Sequence, residues 1–386
     1  MVLGFVFDTK FKKIKNDYYS VNLSAQTLSD RYLNVFDKMY VVCRYEELDQ
    51  IPDGRLLKSN NDSIIFKATD NVTIGKRIFG FFKKNKILND TLKNCDFVIC
   101  RGWRGTQIAR KLKKPYMVEV VNCAWDSYWN HSIQGKIVAP LIYLLRVYST
   151  YNAPYVQYVT SEFLQKRYPT KGISIAVSDV SLQSDDSSEV LKRRLTKINN
   201  KSTDEKIIIG TAGAVNVKFK GQRFIIKALA KLKKQGIVNF EYQIAGGGDN
   251  TKLMNLVKRL HIEDQIVFCG NIVHDKIFNW FDSLDIYIQP SLQEGLPRAL
   301  IEAMSRGLPC YGTRTGGIPE LIKSTYVCNN NKGLETKFAE FLKNHTKEKA
   351  LLMAQENYSK AKEFNADYLK QKFEDFLMNI TSNIQI

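Results

Sequence analysis

The sequence predicts an α/β fold: two doubly wound parallel sheets facing each other across a cleft. Three observations carry this. The chain has 386 residues, beyond the size at which one hydrophobic core keeps growing, so two domains are expected. Short apolar β-rich runs alternate with helical stretches in two separate series, and that alternation marks parallel sheets covered on both faces. A polar tract divides the two series.

The first series has strand-like runs at 3–8, 38–44, 97–101, 116–122 and 155–160, with helical periodicity at 22–36 and 105–113. The tract at 178–206 holds few strong apolar residues and is read as the inter-domain connection, with one short helix inside. The second series has strands at 206–213, 241–247, 265–270, 284–291, 308–313 and 325–328. Its helices fall near 221–235, 251–260, 274–282, 297–306, 318–323 and 332–345, which makes a second Rossmann-like sheet. The expected domains are 1–180 and 200–365, followed by a helical tail at 366–386.

With 44% apolar and 25% charged residues, both domains can bury a core. The net charge is +18, and residues 1–200 hold 31 Lys and Arg against 19 Asp and Glu. An excess concentrated in the first half favours an acidic partner: nucleic acid, anionic lipid or a phosphorylated substrate. The seven cysteines are scattered without a C-x-x-C pair and read as reduced core residues of a cytosolic protein. The four histidines show no metal spacing, so no metal site and no cofactor are expected. The amino terminus is apolar before it is basic, the reverse of a signal peptide, and no run reaches the length of a membrane span. The expected location is the cytoplasm, with peripheral contact to the inner membrane face.

In open α/β sheets, ligands bind beyond the carboxyl ends of the strands. In the second series each such end carries Gly, Lys or a carboxylate: Gly213 and then Lys220-Gly221, the loop Gly246-Gly247-Gly248-Asp249, Gly270-Asn271, and the stretches "PSLQEGLPRALIEAM" and "GTRTGGIPEL". Gly295 permits close backbone approach, while Leu296 and Arg298 can present N–H groups at a helix start, a natural pyrophosphate site. Glu294 lies before that helix and Glu302 one turn inside it. The two could reach opposite ends of one extended ligand through sugar or ribose hydroxyls. Lys220 could neutralise a leaving diphosphate.

These stretches, spanning about 207–323, resemble the retaining glycosyltransferase family 4, which has the GT-B fold; Glu294-x7-Glu302 is similar to its signature. The resemblance implies that Glu294 contacts donor-sugar hydroxyls, Glu302 the nucleotide ribose and Lys220 the diphosphate. The backbone from Gly295 to Arg298 would line the phosphate site, and Gly246–Gly248 with 270–272 would border the nucleoside. It also implies a UDP- or GDP-sugar donor, retention, and a terminal helix returning to the first domain. The sequence departs from the family pattern at Ala214, where many members carry an arginine, leaving Lys218 or Arg298 to complete the phosphate clamp. The glycine-rich first loop is replaced by "FDTKFKKIKNDYYS", and the usual "HG" pair by Asn122-Cys123, with His131 too late. The first half is similar to bacterial surface-polysaccharide transferases through "EVV…WD" and "YVTSEFLQKRYP".

For the acceptor the candidates are Asp126, Asp8 and Asn122, each at or just past a strand's carboxyl end. Asp126 could equally be a helix N-cap. The acceptor class implied is a glycan or a polyprenyl-diphosphate-linked glycan. The basic stretches 79–86 and 101–114, the latter with six basic residues and no acid, could meet anionic membrane or such an acceptor. A nucleotide-sugar epimerase would share the architecture but needs no acceptor. No helix-turn-helix, RNP-type or zinc-finger pattern supports a nucleic-acid partner.

Overall fold

A computed structural model of the chain describes residues 1–21, 23–50, 56–69, 86–130, 132–183 and 188–382. His131 and residues 79–85 of the first basic stretch lie outside the described residues.

The first sheet is built on β1 (Val2–Ile14), β3 (Lys38–Glu47), β5 (Ile64–Thr69), β6 (Phe97–Cys100), β7 (Tyr116–Val120), β8 (Tyr155–Tyr158) and β9 (Ile173–Ala176). Their order is β5-β3-β1-β6-β7-β8-β9, all parallel. Helices α1 (Ala25–Tyr32), α2 (Lys86–Lys93), α3 (Trp103–Lys111), α4 (Ala124–Trp129), α5 (Ile133–Tyr151) and α6 (Phe163–Arg167) accompany them. Ser24 caps α1 by accepting the Thr27 N–H at 3.0 Å.

The run at 3–8 was expected to end in a loop, but β1 continues to Ile14. It slips register between Val6 and Lys10 and pairs antiparallel with β2 (Asp17–Ser20), which pairs with β4 (Leu57–Lys58). Lys15, at φ 54°, makes the turn without glycine. Phe11 is buried and Tyr18 stacks on Phe66 at 4.5 Å, so the extension has its own apolar face despite its lysines.

Arg101 is a correction to the expected basic surface. Its Nε lies 2.6 Å from Glu119 Oε2, and Glu119 is fully buried. Tyr32 donates to the other oxygen at 2.8 Å, and Arg31 stands at 3.7 Å. Burial opposes the Glu119 charge, yet Arg101 and Arg31 hold its carboxyl below the ordinary value. The basic surface of 101–114 therefore consists of Arg104, Arg110, Lys111, Lys113 and Lys114.

The second sheet has the order β12-β11-β10-β13-β14-β15: β10 (Ile207–Ala212), β11 (Phe240–Ala245), β12 (Ile266–Gly270), β13 (Ile286–Gln289), β14 (Cys310–Thr313) and β15 (Val327–Cys328). All its pairs are parallel, and the strand order reverses between β10 and β13. Its helices are α7 (Ser188–Asn200), α8 (Gln222–Lys233), α9 (Thr251–Leu260), α10 (His274–Ser283), α11 (Arg298–Ser305), α12 (Ile318–Leu321), α13 (Leu334–Lys343) and α14 (Lys347–Ala361).

The connecting tract is more structured than its polarity suggested. Helix α7 docks on the second sheet's helices through buried Arg194, whose guanidinium donates to the carbonyls of Leu284 (2.6 Å), Phe281 (2.9 Å) and Arg306 (3.1 Å). It thus satisfies carbonyls at the carboxyl end of α10. The last helix, α15 (Ala366–Ser382), lays Phe373 against Tyr32 and under Arg31, at 6.1 and 4.3 Å. Among the described residues no helix is long and apolar enough to cross a membrane.

Candidate active site

Three loops at the carboxyl edge of the second sheet are stitched into one layer. Gly213 N–H bonds Ala245 O at 2.8 Å, Val215 N–H bonds Gly247 O at 3.1 Å, and Gly246 N–H bonds Gly270 O at 2.6 Å. A Cβ at Gly246 would fall 2.1 Å from Gly213 O, so this layer exists only with glycine there. Asn271 follows Gly270 and is exposed.

Lys220 ends a single 3-10 turn, Lys218–Lys220, after β10. Gly221 closes that turn at φ +78°, and a Cβ on it would lie 1.9 Å from Pro290 O. Leu292 N–H reaches Phe219 O at 2.7 Å. The lysine turn is thereby fixed to the loop that carries Glu294, and Lys220 Nζ lies 2.8 Å from Glu294 Oε1. Behind this pair runs a buried chain. Gln289 Nε2 donates to the same Glu294 oxygen at 3.0 Å, and Tyr287 O–H donates to Gln289 Oε1 at 2.7 Å. Burial pushes the Tyr287 phenol well above its ordinary value. An N–H from Ala212 opposes that, and the Cys310 thiol with the Glu294 and Glu302 carboxylates adds to it, so the phenol stays a donor.

Helix α11 begins after this loop, and no side chain caps its amino end. Its N–H groups and positive dipole end are the parts that suit a phosphate. Gly295 lies against the first sheet: a Cβ there would stand 2.4 Å from Val121 O, next to exposed Asn122. Leu296 is half-buried, and Gly317 N–H holds Gly295 O at 2.7 Å. Arg298 is exposed, with Nη2 at 3.4 Å from Asp179 O. Glu302 is buried on the same face of α11, lining a cavity of about 420 Å³ with Arg298 and with Phe278 and Asn279 of α10.

On the first sheet, Asp126 sits in the first turn of α4, whose N-cap is Cys123, so the alternative cap role does not apply. Arg167 stands 3.7 Å from its carboxylate. Asp8 lies in β1 at the register slip, and its side chain is outside what the structure describes. Hydrogen bonds that join the sheets beside the site include Gln293 Nε2 to Ser127 Oγ at 3.3 Å, and Glu320, which accepts the N–H groups of Ser161 and Phe163 at 2.6 Å each. The structure thus brings Gly213, Lys220, Gly246, Gly247, Glu294 and Gly295 together, leaves Asn271 and Asn122 at the rim, and engages Asp126 elsewhere. Sequence reasoning missed Tyr287, Gln289 and Glu320. The signal for Gln289 was present: a glutamine closing an otherwise apolar strand, directly before the loop.

A glycosyl transferases group 1 model matches residues 192–360. Protein CapJ of Staphylococcus aureus is 35% identical over 341 residues, which span 85% of this chain and 82% of CapJ. The chain belongs to the glycosyl transferases group 1 family. As a group 1 glycosyltransferase it is a transferase enzyme. A further relative is the putative colanic acid biosynthesis glycosyltransferase WcaL of Salmonella typhimurium, 31% identical over 42% of each chain. Among solved structures, sucrose-phosphate synthase of Thermosynechococcus elongatus superposes with a TM-score of 0.67 at 14% identity, covering 99% of both chains. Anabaena HepE in complex with UDP-glucose gives 0.63 at 15% identity, over 98% of this chain and all of HepE. These likenesses carry the fold, which is the GT-B arrangement the sequence resemblance implied.

Proposed function

We propose that this group 1 glycosyltransferase moves a sugar from a UDP- or GDP-sugar to a glycan or a lipid-linked glycan, in the building of a bacterial surface polysaccharide. One observation carries the donor half: Lys220 and Glu294, 74 residues apart, meet at 2.8 Å where the strand order reverses, beside the uncapped start of α11. An ammonium has three donors and one is used by Glu294, so phosphate oxygens can take the others. As the bond from the anomeric carbon to the diphosphate breaks, its electron pair leaves with the phosphate oxygen. Lys220 and the α11 N–H groups stabilise that charge without a metal. Glu294 would orient the donor sugar and Glu302 the ribose. Retention of anomeric configuration follows from the family resemblance. The HepE complex with UDP-glucose supports a nucleotide-sugar donor, and WcaL supports the polysaccharide setting.

The test is thermal stabilisation by UDP, GDP, ADP, CMP and their sugars, on wild type and Glu302→Ala. A ligand bound only by the folded state raises the midpoint by mass action. One nucleotide class should stabilise wild type and stabilise the variant less. No stabilisation by any of them, with acceptor glycan present, counts against the reading.

A further inference from the structure

Helix α5 is amphipathic in the wrong direction for a solvated surface. The face it turns to the protein includes Gly135, Val138, Ala139, Arg146, Ser149 and Thr150. The face it turns outward carries Ile133, Ile137, Leu141, Leu144, Tyr148 and Tyr151. Three of these are largely bare: Ile133 is 80% exposed, Ile137 76% and Leu144 62%. At 3.6 residues per turn, all six fall within an arc of about 80° along a helix roughly 28 Å long. Scattered exposed apolar residues need no explanation, but an unbroken row does.

Both ends of the row are held by cations on aromatic rings. Lys136 stands over Trp129 at 5.7 Å at one end. At the other, Arg110 stands over Tyr148 at 5.4 Å and Lys171 over Tyr151 at 4.6 Å. Arg110, Lys113, Lys114 and Lys171 line a depression of about 770 Å³ beside Tyr151. Residues 101–172 hold eleven Lys and Arg against three acids; the Arg101 and Arg146 side chains are buried and Lys166 and Arg167 pair with acids, which leaves seven cations. Of those acids Glu119 is buried, while Asp126 and Glu162 are paired with Arg167 and Lys166. Among the described residues of this segment, the row is fringed by positive charge and each acid is buried or paired.

We infer that the outward face of α5 docks on the surface of a bilayer containing anionic lipid. The helix lies in the plane of the interface, its aliphatic row among the acyl chains and its cations at the headgroups. Apolar area supplies binding, and the basic fringe selects the negative surface. The basic fringe favours an anionic bilayer over an uncharged partner surface, since each Lys or Arg near such a membrane adds about 1 kcal/mol. Helix α4 packs on the start of α5, and Ser127 of α4 bonds Gln293 next to Glu294. Docking through α5 thus brings the cleft mouth to the membrane, where a lipid-linked acceptor would be held.

The test is flotation of the full chain with vesicles of phosphatidylcholine plus phosphatidylglycerol, and with phosphatidylcholine alone. Wild type should float with the anionic vesicles at low salt. Ile137→Gln with Leu144→Gln should bind at least about tenfold less, with its thermal midpoint and nucleotide response unchanged. Lys113→Gln with Lys171→Gln should lose about fivefold per charge. Wild type that stays unbound, or an apolar variant that floats like wild type, overturns the inference. So does a wild-type dimer that the apolar variant turns into a monomer without any flotation, since the face is then a contact between copies. Nucleotide stabilisation is read separately, so failure of the donor assignment is distinguishable.

Discussion

Glu294 Oε1 accepts from two residues at once, Lys220 Nζ at 2.8 Å and Gln289 Nε2 at 3.0 Å. The lysine comes from the turn after β10 and the glutamine from the end of β13, the two strands flanking the point where the sheet order reverses. Lys220→Ala removes the cation that would meet the leaving diphosphate. Its kcat/KM for the donor should fall about 10²–10³-fold, with only a modest drop in the urea midpoint, because Lys220 is partly exposed and Gln289 still donates to Glu294. Steady-state kinetics beside urea unfolding separate the two effects.

Gln289→Leu tests the buried chain behind the pair. It leaves the Tyr287 hydroxyl without its acceptor and Glu294 without its second donor, so a stability cost of roughly 1–3 kcal/mol is expected. Glu294 would then be held by Lys220 alone, and kcat/KM for the donor should fall less than in Lys220→Ala. Equal loss in both variants would mean that Gln289 does more than orient Glu294.

The donor edge was legible in the sequence because its chemistry is written in residues that need a reason to be there. Gly246 and Gly295 mark backbone approaches that a Cβ would block at 2.1 and 2.4 Å. Glu302 interrupts an apolar helix. The first half was read less well because its informative contacts are long-range. Nothing local marks Glu119 as the partner of Arg101 and Tyr32, or shows that "KFKKIKNDYY" pairs as a hairpin rather than looping. The α5 row was hidden for a different reason: apolar residues at helical spacing read as core until the buried face is known.

Glu119→Ala should destabilise the first sheet by about 3–5 kcal/mol, because it leaves Arg101 buried without its charge partner. Glu119→Gln keeps the shape and should cost less. The folded carboxyl is held below its ordinary value, so its stabilisation is complete above the unfolded value and is lost as pH falls below that value. Urea unfolding of both variants at neutral and acid pH reads this directly.

His345 gives a second, separable pH dependence. Burial lowers its pKa from 6.5 to about 4, and Nδ1 lies 3.0 Å from the Tyr311 hydroxyl. The unfolded ring binds a proton near pH 6.5 and the folded ring does not. Stability is therefore full above that pH and is lost as pH falls from about 6.5 to about 4. The ceiling is roughly 3 kcal/mol, lowered by the ring's residual solvent contact. His345→Gln should flatten the stability profile in that window and leave the Glu119 loss at lower pH.

Glu320 is the contact most exposed to a direct test of how the two sheets are joined. Its carboxylate on α12 takes the N–H groups of Ser161 and Phe163, both at 2.6 Å, at the start of α6. A carboxylate at a helix amino end gains from the dipole as well as from the two bonds. Glu320→Ala removes the acceptor from both amides at once without touching the donor loops. Hydrogen exchange at Ser161 and Phe163 should speed up by at least about tenfold, since each protecting bond is worth of order 1.5 kcal/mol or more to a charged acceptor. Amides of β10 and β13 should exchange as in wild type. Protection that persists at Ser161 and Phe163 would mean the sheets are held at this point by something other than Glu320; protection lost in β10 as well would mean that the contact supports the donor sheet and not only its junction with the first.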